Sequence, residues 1–145
     1  MLKEGTKIID FSLVDQDKVI HKLSDYSMGR VLLYFYPKDD TPGCTKEACM
    51  ITAVYDDFKK AGITVLGISS DSPESHKKFK EKYNLPFTLL SDTDKKVIKD
   101  YGASSILFTK RISYLIYKGV IIKVYPKVDP ATHAIEILKE IEKIV

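Results

Sequence analysis

Two short, unbroken apolar segments, residues 31–36 and 65–68, constrain the fold of this chain most strongly. A strand that is covered on both faces has such a continuous run, whereas a strand with one face in water alternates apolar and polar residues. Each run is followed within six residues by a helix-capping residue and a proline, at Thr41-Pro42 and at Ser72-Pro73. This pairing is typical of a helix start. We therefore expect two central parallel strands, each followed by a helix.

The remaining segments complete an α/β arrangement. Residues 112–117 and 120–125 are rich in β-branched and aromatic residues and are linked only by Lys118-Gly119, so they predict an antiparallel hairpin. A looser alternation over residues 11–23 predicts an N-terminal β-hairpin. The predicted helices cover residues 42–61, 73–83, about 95–101, and a last segment that begins at Pro130 with Asp129 as its N-cap. We expect a thioredoxin-like fold, with a central mixed β-sheet flanked by helices on both faces.

The last helix carries an apolar stripe at steps of three and four residues. The stripe consists of Ala134, Ile137, Leu138, Ile141, Ile144 and Val145. Charged residues occupy the opposite side, as in a surface helix that packs on a core. We expect this stripe to face the core of the domain and not a membrane.

Length and composition limit the functions that are open to the chain. Its 145 residues fit one domain, residues 1–145. The 23 basic and 20 acidic residues are spread along the chain, which argues against a nucleic-acid partner. The longest apolar run has six residues, far short of the roughly 20 that a membrane span needs. No signal-peptide pattern is present, so we expect a soluble, cytoplasmic protein.

Cys44 lies where a strand–loop–helix connection favours reactive chemistry. It falls in the first turn of the helix predicted to begin at Pro42, just after a buried strand. Open α/β sheets place their sites at the carboxyl ends of such strands. The unpaired N–H groups of a helix start stabilise a thiolate, and Gly43 lets a ligand approach the backbone. A small buried hydrophobic residue is the alternative interpretation of Cys44.

Cys49, the other cysteine, lies five residues after Cys44. A redox pair is the interpretation that uses both thiols. On a regular helix their Cα atoms would be about 8.6 Å apart. An unstrained disulfide needs less than about 7 Å, so a bond between them would require the helix to unwind.

Residues 34–49 resemble the Q-type peroxiredoxins, also called bacterioferritin comigratory proteins. Pro37, Thr41 and Cys44 fit the Pro-x-x-x-Thr-x-x-Cys motif of peroxiredoxins, and Cys49 has the spacing of the Q-type resolving cysteine. The similarity continues through residues 10–13, 68–72, 85–87 and 89–92. It covers nearly the whole chain.

The resemblance implies a thiol-dependent peroxidase that reduces hydrogen peroxide and organic hydroperoxides. Cys44 would be the peroxidatic cysteine and form a sulfenic acid, and Cys49 would resolve it as a Cys44–Cys49 disulfide. Thioredoxin or a similar dithiol would reduce that bond. The resemblance also implies a monomer without metal, haem or flavin. A protein disulfide oxidoreductase and a non-enzymatic redox sensor are the alternative functions.

The same resemblance assigns three supporting residues. Thr41 would hold the thiolate and one peroxide oxygen, Pro37 would shield the site, and Arg111 would polarise thiolate and substrate. A guanidinium offers a fixed fork of donors and a permanent charge that lysine does not duplicate. Thr41 is also expected to cap the helix that begins at Pro42.

We expect simpler roles for the remaining polar residues. Glu47 is either a first-turn residue that favours the helix dipole or a support for the motif. Residues 38–40 are expected to form a solvated loop, and Tyr36 to pack. We expect the three histidines to lie at the surface without a catalytic or metal-binding role; they are His21, His76 and His133.

Overall fold

The structure is a computed structural model that describes the backbone of residues 1–144 and the side chains of residues 1–142. This part of the chain contains a seven-stranded mixed sheet with the order β2-β1-β5-β4-β3-β6-β7. The strands are β1 (Ser12–Asp15), β2 (Ile20–Lys22), β3 (Arg30–Phe35), β4 (Ile63–Ser69), β5 (Thr88–Ser91), β6 (Ile112–Tyr117) and β7 (Val120–Tyr125). The mixed sheet predicted from the sequence is confirmed.

The central strand β3 pairs in parallel with β4 and antiparallel with β6. Its side chains alternate between two separate apolar clusters. Leu32 and Tyr34 belong to one cluster, and Val31 and Leu33 belong to the other. Because both faces of β3 are covered, its sequence is continuously apolar.

Helices cover both faces of the sheet, as predicted. They are α1 (Pro42–Ala53), α2 (Tyr55–Lys60), α3 (Pro73–Tyr83), α4 (Lys96–Asp100) and α5 (His133–Ile144). Residues of α1, α2, α3 and α5 enter the cluster around Tyr34. Val97 and Ile98 of α4 enter the cluster on the opposite face.

Both predicted hairpins are present. Strands β6 and β7 have the predicted bounds, and Lys118 and Gly119 between them both adopt positive φ angles, 48° and 77°. Turns of this kind match the twist of a hairpin. At the N-terminal end, β1 and β2 pair antiparallel, and β1 also pairs antiparallel with β5.

Strand β5 was not predicted from the sequence. This strand has only four residues, and it lies between β4 and β1 in the sheet. Three of its residues are buried, so it shows neither alternation nor a long apolar run. Its pairing with residues that are distant in sequence determines its structure.

The prediction of a single helix over residues 42–61 was wrong, because the helix is interrupted at Val54. Val54 has φ −115° and ψ 21°, outside helical geometry, and separates α1 from α2. Ile51, Thr52 and Val54 are β-branched and are weak helix formers. The Thr52 hydroxyl also donates to the Ala48 carbonyl at 2.8 Å, a contact that bends helices.

The last helix begins three residues later than predicted. Asp129 caps a turn instead, in which its Oδ1 accepts from the Ala131 N–H at 2.9 Å. Helix α5 follows from His133, and the stripe residues Ala134, Ile137 and Ile141 are buried as predicted. Leu138 is half-buried, whereas the side chain of Ile144 and the whole of Val145 lie outside the described residues.

Among residues 1–144, no helix has both the length and the apolar composition that crossing a bilayer requires.

Candidate active site

Cys44 lies at the carboxyl end of the central strand. Strand β3 ends at Phe35, residues 36–41 form a loop, and Cys44 is the third residue of α1. Its side chain is only 2% exposed and packs in the same cluster as Ala48 and Ile51. The thiol therefore lies at a helix start inside the domain, close to backbone N–H groups that have no partner within the helix.

Arg111 reaches Cys44 because of the pairing between β3 and β6. Ile112 of β6 lies opposite Phe35, the last residue of β3, so Arg111 lies beside the point where the loop begins. Its Nη2 is 3.4 Å from Cys44 Sγ, and its Nη1 donates to Glu47 Oε1 at 2.8 Å. One guanidinium thus contacts the thiol and a carboxylate at the same time.

Glu47 is a buried support for this arginine and not a solvated first-turn residue. Burial raises the pKa of Glu47 to about 7, although the hydrogen bond and charge of Arg111 oppose that rise. Burial alone would lower the pKa of Arg111, but its contacts with Glu47 and Cys44 raise it above the usual value. Arg111 therefore stays protonated, and its charge acts most fully on Cys44 when Glu47 is neutral.

Gly43 leaves the space through which Arg111 approaches the thiol. A Cβ atom built on Gly43 would lie 3.0 Å from Arg111 Nη2, closer than an ordinary contact. Any larger residue at this position would press on the nitrogen that contacts Cys44. The glycine therefore belongs to the geometry of the site.

Thr41 occupies the N-cap position, but its hydroxyl does not cap α1, so that expectation was wrong. The hydroxyl donates to the Lys38 carbonyl at 2.8 Å, while the Thr41 carbonyl accepts from the Thr45 N–H at 2.8 Å. The hydroxyl thus stabilises the loop, and the helix N–H groups are left without this cap. Pro37 is half-buried at the start of the same loop.

Cys49 is half-buried in the same helix, and both cysteines are free thiols. Helix α1 is continuous from Pro42 to Ala53. The separation of about 8.6 Å that regular helix geometry gives for Cys44 and Cys49 therefore applies to this state.

Two of the histidines and part of the loop are buried, contrary to expectation. His76 and His133 are at most 1% exposed, and His21 is half-buried. Burial lowers the pKa of His133 to about 4, and its Nε2 lies 2.9 Å from the Ser113 hydroxyl. Asp39, expected in solvent, is 7% exposed and contacts His76.

A signal for the burial of His76 was present in the sequence. His76 lies three residues before Phe79 on α3, and both side chains are buried. The spacing of three places both on the inward face of the helix. Tyr36 packs as predicted, with aromatic contacts to Tyr34 and Phe79.

Two comparisons relate the sequence of this chain to known proteins. A model of the AhpC/TSA family matches residues 5–125. Peroxiredoxin Q of Sedum lineare is 48% identical over an alignment of 146 positions, which covers 97% of this chain and 78% of that protein.

Solved structures show the same fold. The crystal structure of peroxidoxin BcpB from Mycobacterium tuberculosis has a TM-score of 0.92 and 31% identity, with 100% of this chain and 99% of that chain covered. The bacterioferritin comigratory protein of Xanthomonas campestris, whose structures concern alkyl peroxide reduction, has a TM-score of 0.88 and 29% identity, with 92% and 91% covered. The predicted thioredoxin-like fold is confirmed. The chain belongs to the peroxiredoxin family and, within it, to the Q type.

Proposed function

We propose that Cys44 is the peroxidatic cysteine of this thiol-dependent peroxidase, and that Cys49 resolves it. The contact of Arg111 Nη2 with Cys44 Sγ at 3.4 Å carries this proposal, because it places the permanent positive charge of a guanidinium beside a thiol at a helix start. All of these residues belong to one domain, which we propose spans residues 1–145.

In the first step the Cys44 thiolate attacks the terminal oxygen of a hydroperoxide. An S–O bond forms and the O–O bond breaks, so sulfur is oxidised by two electrons while the peroxide is reduced. The departing alkoxide or hydroxide takes a proton and leaves as an alcohol or as water. Arg111 stabilises the negative charge that moves from sulfur to oxygen.

We assign the supporting roles to Thr41 and Pro37. The Thr41 hydroxyl donates to Lys38, which leaves its oxygen able to accept a hydrogen bond from the hydroperoxide. Half-buried Pro37 would limit the access of water to the thiolate. Both residues lie on the loop that leads into α1.

In the second step the Cys49 sulfur attacks the sulfenic sulfur of Cys44. An S–S bond forms, the S–O bond breaks, and the hydroxyl leaves as water. Because both cysteines lie on α1 at a separation too long for a disulfide, the turns between them must unwind first. Unwinding would also expose the disulfide to its reductant.

We propose thioredoxin or a similar dithiol as that reductant, and hydrogen peroxide and organic hydroperoxides as substrates. The named activity of the Xanthomonas campestris relative, alkyl peroxide reduction, supports the organic substrate class. We also propose a cytoplasmic monomer. Cys44, Cys49, Glu47 and Arg111 all come from one chain, so the site needs no second copy.

Mass spectrometry of the intact protein before and after one equivalent of peroxide tests the assignment. The unaltered chain should lose two hydrogens as the disulfide forms. Cys49→Ser should gain one oxygen instead, and Cys44→Ser should remain unchanged and lose turnover. Continued peroxide consumption by Cys44→Ser would refute the role of Cys44.

The two alternative functions give different results with a dithiol supply. A peroxidase consumes peroxide continuously under these conditions. A redox sensor would react once and stop, and a protein disulfide oxidoreductase would consume peroxide slowly while it exchanges protein disulfides. Turnover with thioredoxin at a rate far above that of free cysteine therefore separates the three.

A further inference from the structure

Asp39 lies in the middle of the loop between β3 and α1, two residues after Pro37 and two before Thr41. Its side chain is turned away from solvent and is 4% exposed. Its backbone N–H donates at 2.8 Å to the carboxylate of Asp71, which follows β4. The main chain of the loop is thus attached to the segment that joins β4 to α3.

Three side chains surround the Asp39 carboxylate. The Tyr36 hydroxyl donates to Oδ1 at 2.6 Å, and the Ser75 hydroxyl donates to Oδ2 at 2.8 Å. His76 Nδ1 lies 2.7 Å from the same Oδ2. Ser75 and His76 belong to α3, so the carboxylate connects the active-site loop to that helix.

His76 extends this connection to the sheet. Its side chain is fully buried, and its Nε2 lies 3.0 Å from the Leu90 carbonyl of β5. A carbonyl can only accept, so Nε2 carries a hydrogen. The contact between Nδ1 and Asp39 also requires a proton, supplied by either partner. His76 therefore bridges Asp39 and the backbone of a core strand.

Hydrogen bonding describes this cluster better than metal binding. One ligand atom each from Asp39, Asp71 and His76 lies within 4.8 Å of the others. However, two ligands of a tetrahedral zinc ion are about 3.3 Å apart, given bonds of about 2.05 Å. The 2.7 Å between His76 Nδ1 and Asp39 Oδ2 is shorter than that and has the length of a hydrogen bond.

Asp40, the next residue, is a second attachment to α3. It adopts a positive φ of 55°, and its carboxylate accepts from Lys82 Nζ and from the Tyr83 hydroxyl, each at 2.7 Å. These contacts are exposed, whereas the contacts of Asp39 with Tyr36 and His76 are buried. Two consecutive residues therefore hold the chain immediately before α1.

We propose that Asp39 and His76 form a positioning pair for the peroxidase reaction. The pair fixes the loop that carries Pro37 and Thr41, so those residues meet the peroxide in one arrangement. It also fixes the point from which α1 unwinds, so the loop stays in place while Cys44 moves to Cys49. This inference rests on the proposed role of Cys44.

Two amide substitutions at residue 76 separate the contacts of the imidazole. In His76→Asn the amide nitrogen falls near Nδ1 and can still donate to Asp39. In His76→Gln it falls near Nε2 and can donate to the Leu90 carbonyl but not to Asp39. A role that is only structural would not prefer asparagine, because asparagine is the smaller residue and leaves the larger cavity.

The measurement is the rate of sulfenic acid formation in a Cys49→Ser background, by rapid quenching with an alkylating agent and mass spectrometry. We expect His76→Gln to slow this step at least about tenfold and His76→Asn to stay within about threefold of the parent, as for a change in positioning. With Cys49 present, disulfide formation after oxidation should not be slowed in either variant. Equal slowing by both substitutions, or no slowing by His76→Gln, would overturn the proposal.

Ser75→Ala keeps the test decisive if His76→Gln fails to fold. Ser75 is half-buried, and the change removes one donor to Asp39 Oδ2 without touching the core. Sulfenic acid formation should slow by about threefold, since one of the three side-chain contacts of the Asp39 carboxylate is lost; an unchanged rate would overturn the proposal. Failure of the proposed function itself would appear differently, as peroxide turnover by Cys44→Ser.

Discussion

Replacing Arg111 by lysine tests the charge that faces the thiolate. The guanidinium contacts two residues through two nitrogens: Nη2 lies 3.4 Å from Cys44 Sγ, and Nη1 lies 2.8 Å from Glu47 Oε1. Lysine keeps the charge but has one nitrogen. Because Glu47 is buried and its contact is the shorter one, we expect the lysine to pair with Glu47 and to leave Cys44.

The size of the expected rate loss follows from the hydrogen bond that Cys44 would lose. A hydrogen bond that involves charged groups contributes about 1.5–3 kcal/mol. At about 1.4 kcal/mol for each factor of ten in rate, its loss in the transition state should slow sulfenic acid formation about 10- to 150-fold. Substrate binding should weaken less, because negative charge reaches the peroxide oxygen only in the transition state.

The assay is the second-order rate of Cys44 oxidation in a Cys49→Ser background. Arg30→Lys is the matched control, since Arg30 is the only other arginine among the 23 basic residues. Arg30 donates to the Ala61 carbonyl at the opposite end of β3, about 16 Å along the strand from Phe35. An unchanged rate for Arg111→Lys, or equal slowing by both changes, would refute the role of Arg111.

Three further predictions follow from the same site. Gly43→Ala should slow Cys44 oxidation without loss of fold, because its Cβ would press on Arg111 Nη2 at 3.0 Å; an unchanged rate would contradict this steric argument. Burial raises the pKa of Glu47 from 4.5 to about 7, so the native state keeps a proton that the unfolded state loses, and stability should fall as the pH rises across that interval. Over this rise in pH, the unfolding free energy of the wild-type protein should drop by about 3 kcal/mol relative to that of Glu47→Gln, measured by urea denaturation. Parallel pH profiles of the two proteins would contradict the raised pKa of Glu47. Amides of residues 42–53 should exchange faster in the disulfide form than in the reduced form, and equal protection with a confirmed Cys44–Cys49 bond would show that α1 does not unwind.

Local sequence signals predicted the parts of the fold and site that depend on neighbours along the chain. The start of α1 follows from Thr41-Pro42, and the β6–β7 hairpin follows from Lys118-Gly119. Cys44 could be placed in a first helical turn for the same reason. Its contact with Arg111, 67 residues away, was expected only from the resemblance to the family.

The features that were not predicted from the sequence depend on contacts between residues that are distant along the chain. Asp39 and His76 are polar, so we expected both at the surface. Both are buried, because each is a hydrogen-bond partner for the other at 2.7 Å, although 37 residues separate them in sequence. A buried polar group is stable only where partners satisfy it, and a single sequence does not show which pairs will meet. Strand β5 was missed for the same reason, since its pairing with β4 and β1 is not a local property.

The interruption at Val54 limits how much structure the catalytic cycle must disrupt. Helix α1 has 12 residues, about the length below which an isolated helix is marginal in water, so its stability depends largely on packing against the rest of the domain. Because α2 is a separate helix, Phe58 can stay buried while α1 opens. A small opening cost shortens the time that the sulfenic acid waits for Cys49. A second peroxide then has less opportunity to convert it irreversibly to the sulfinic acid. We therefore expect the helix break at Val54, ten residues after Cys44, to reduce inactivation of the protein by excess peroxide.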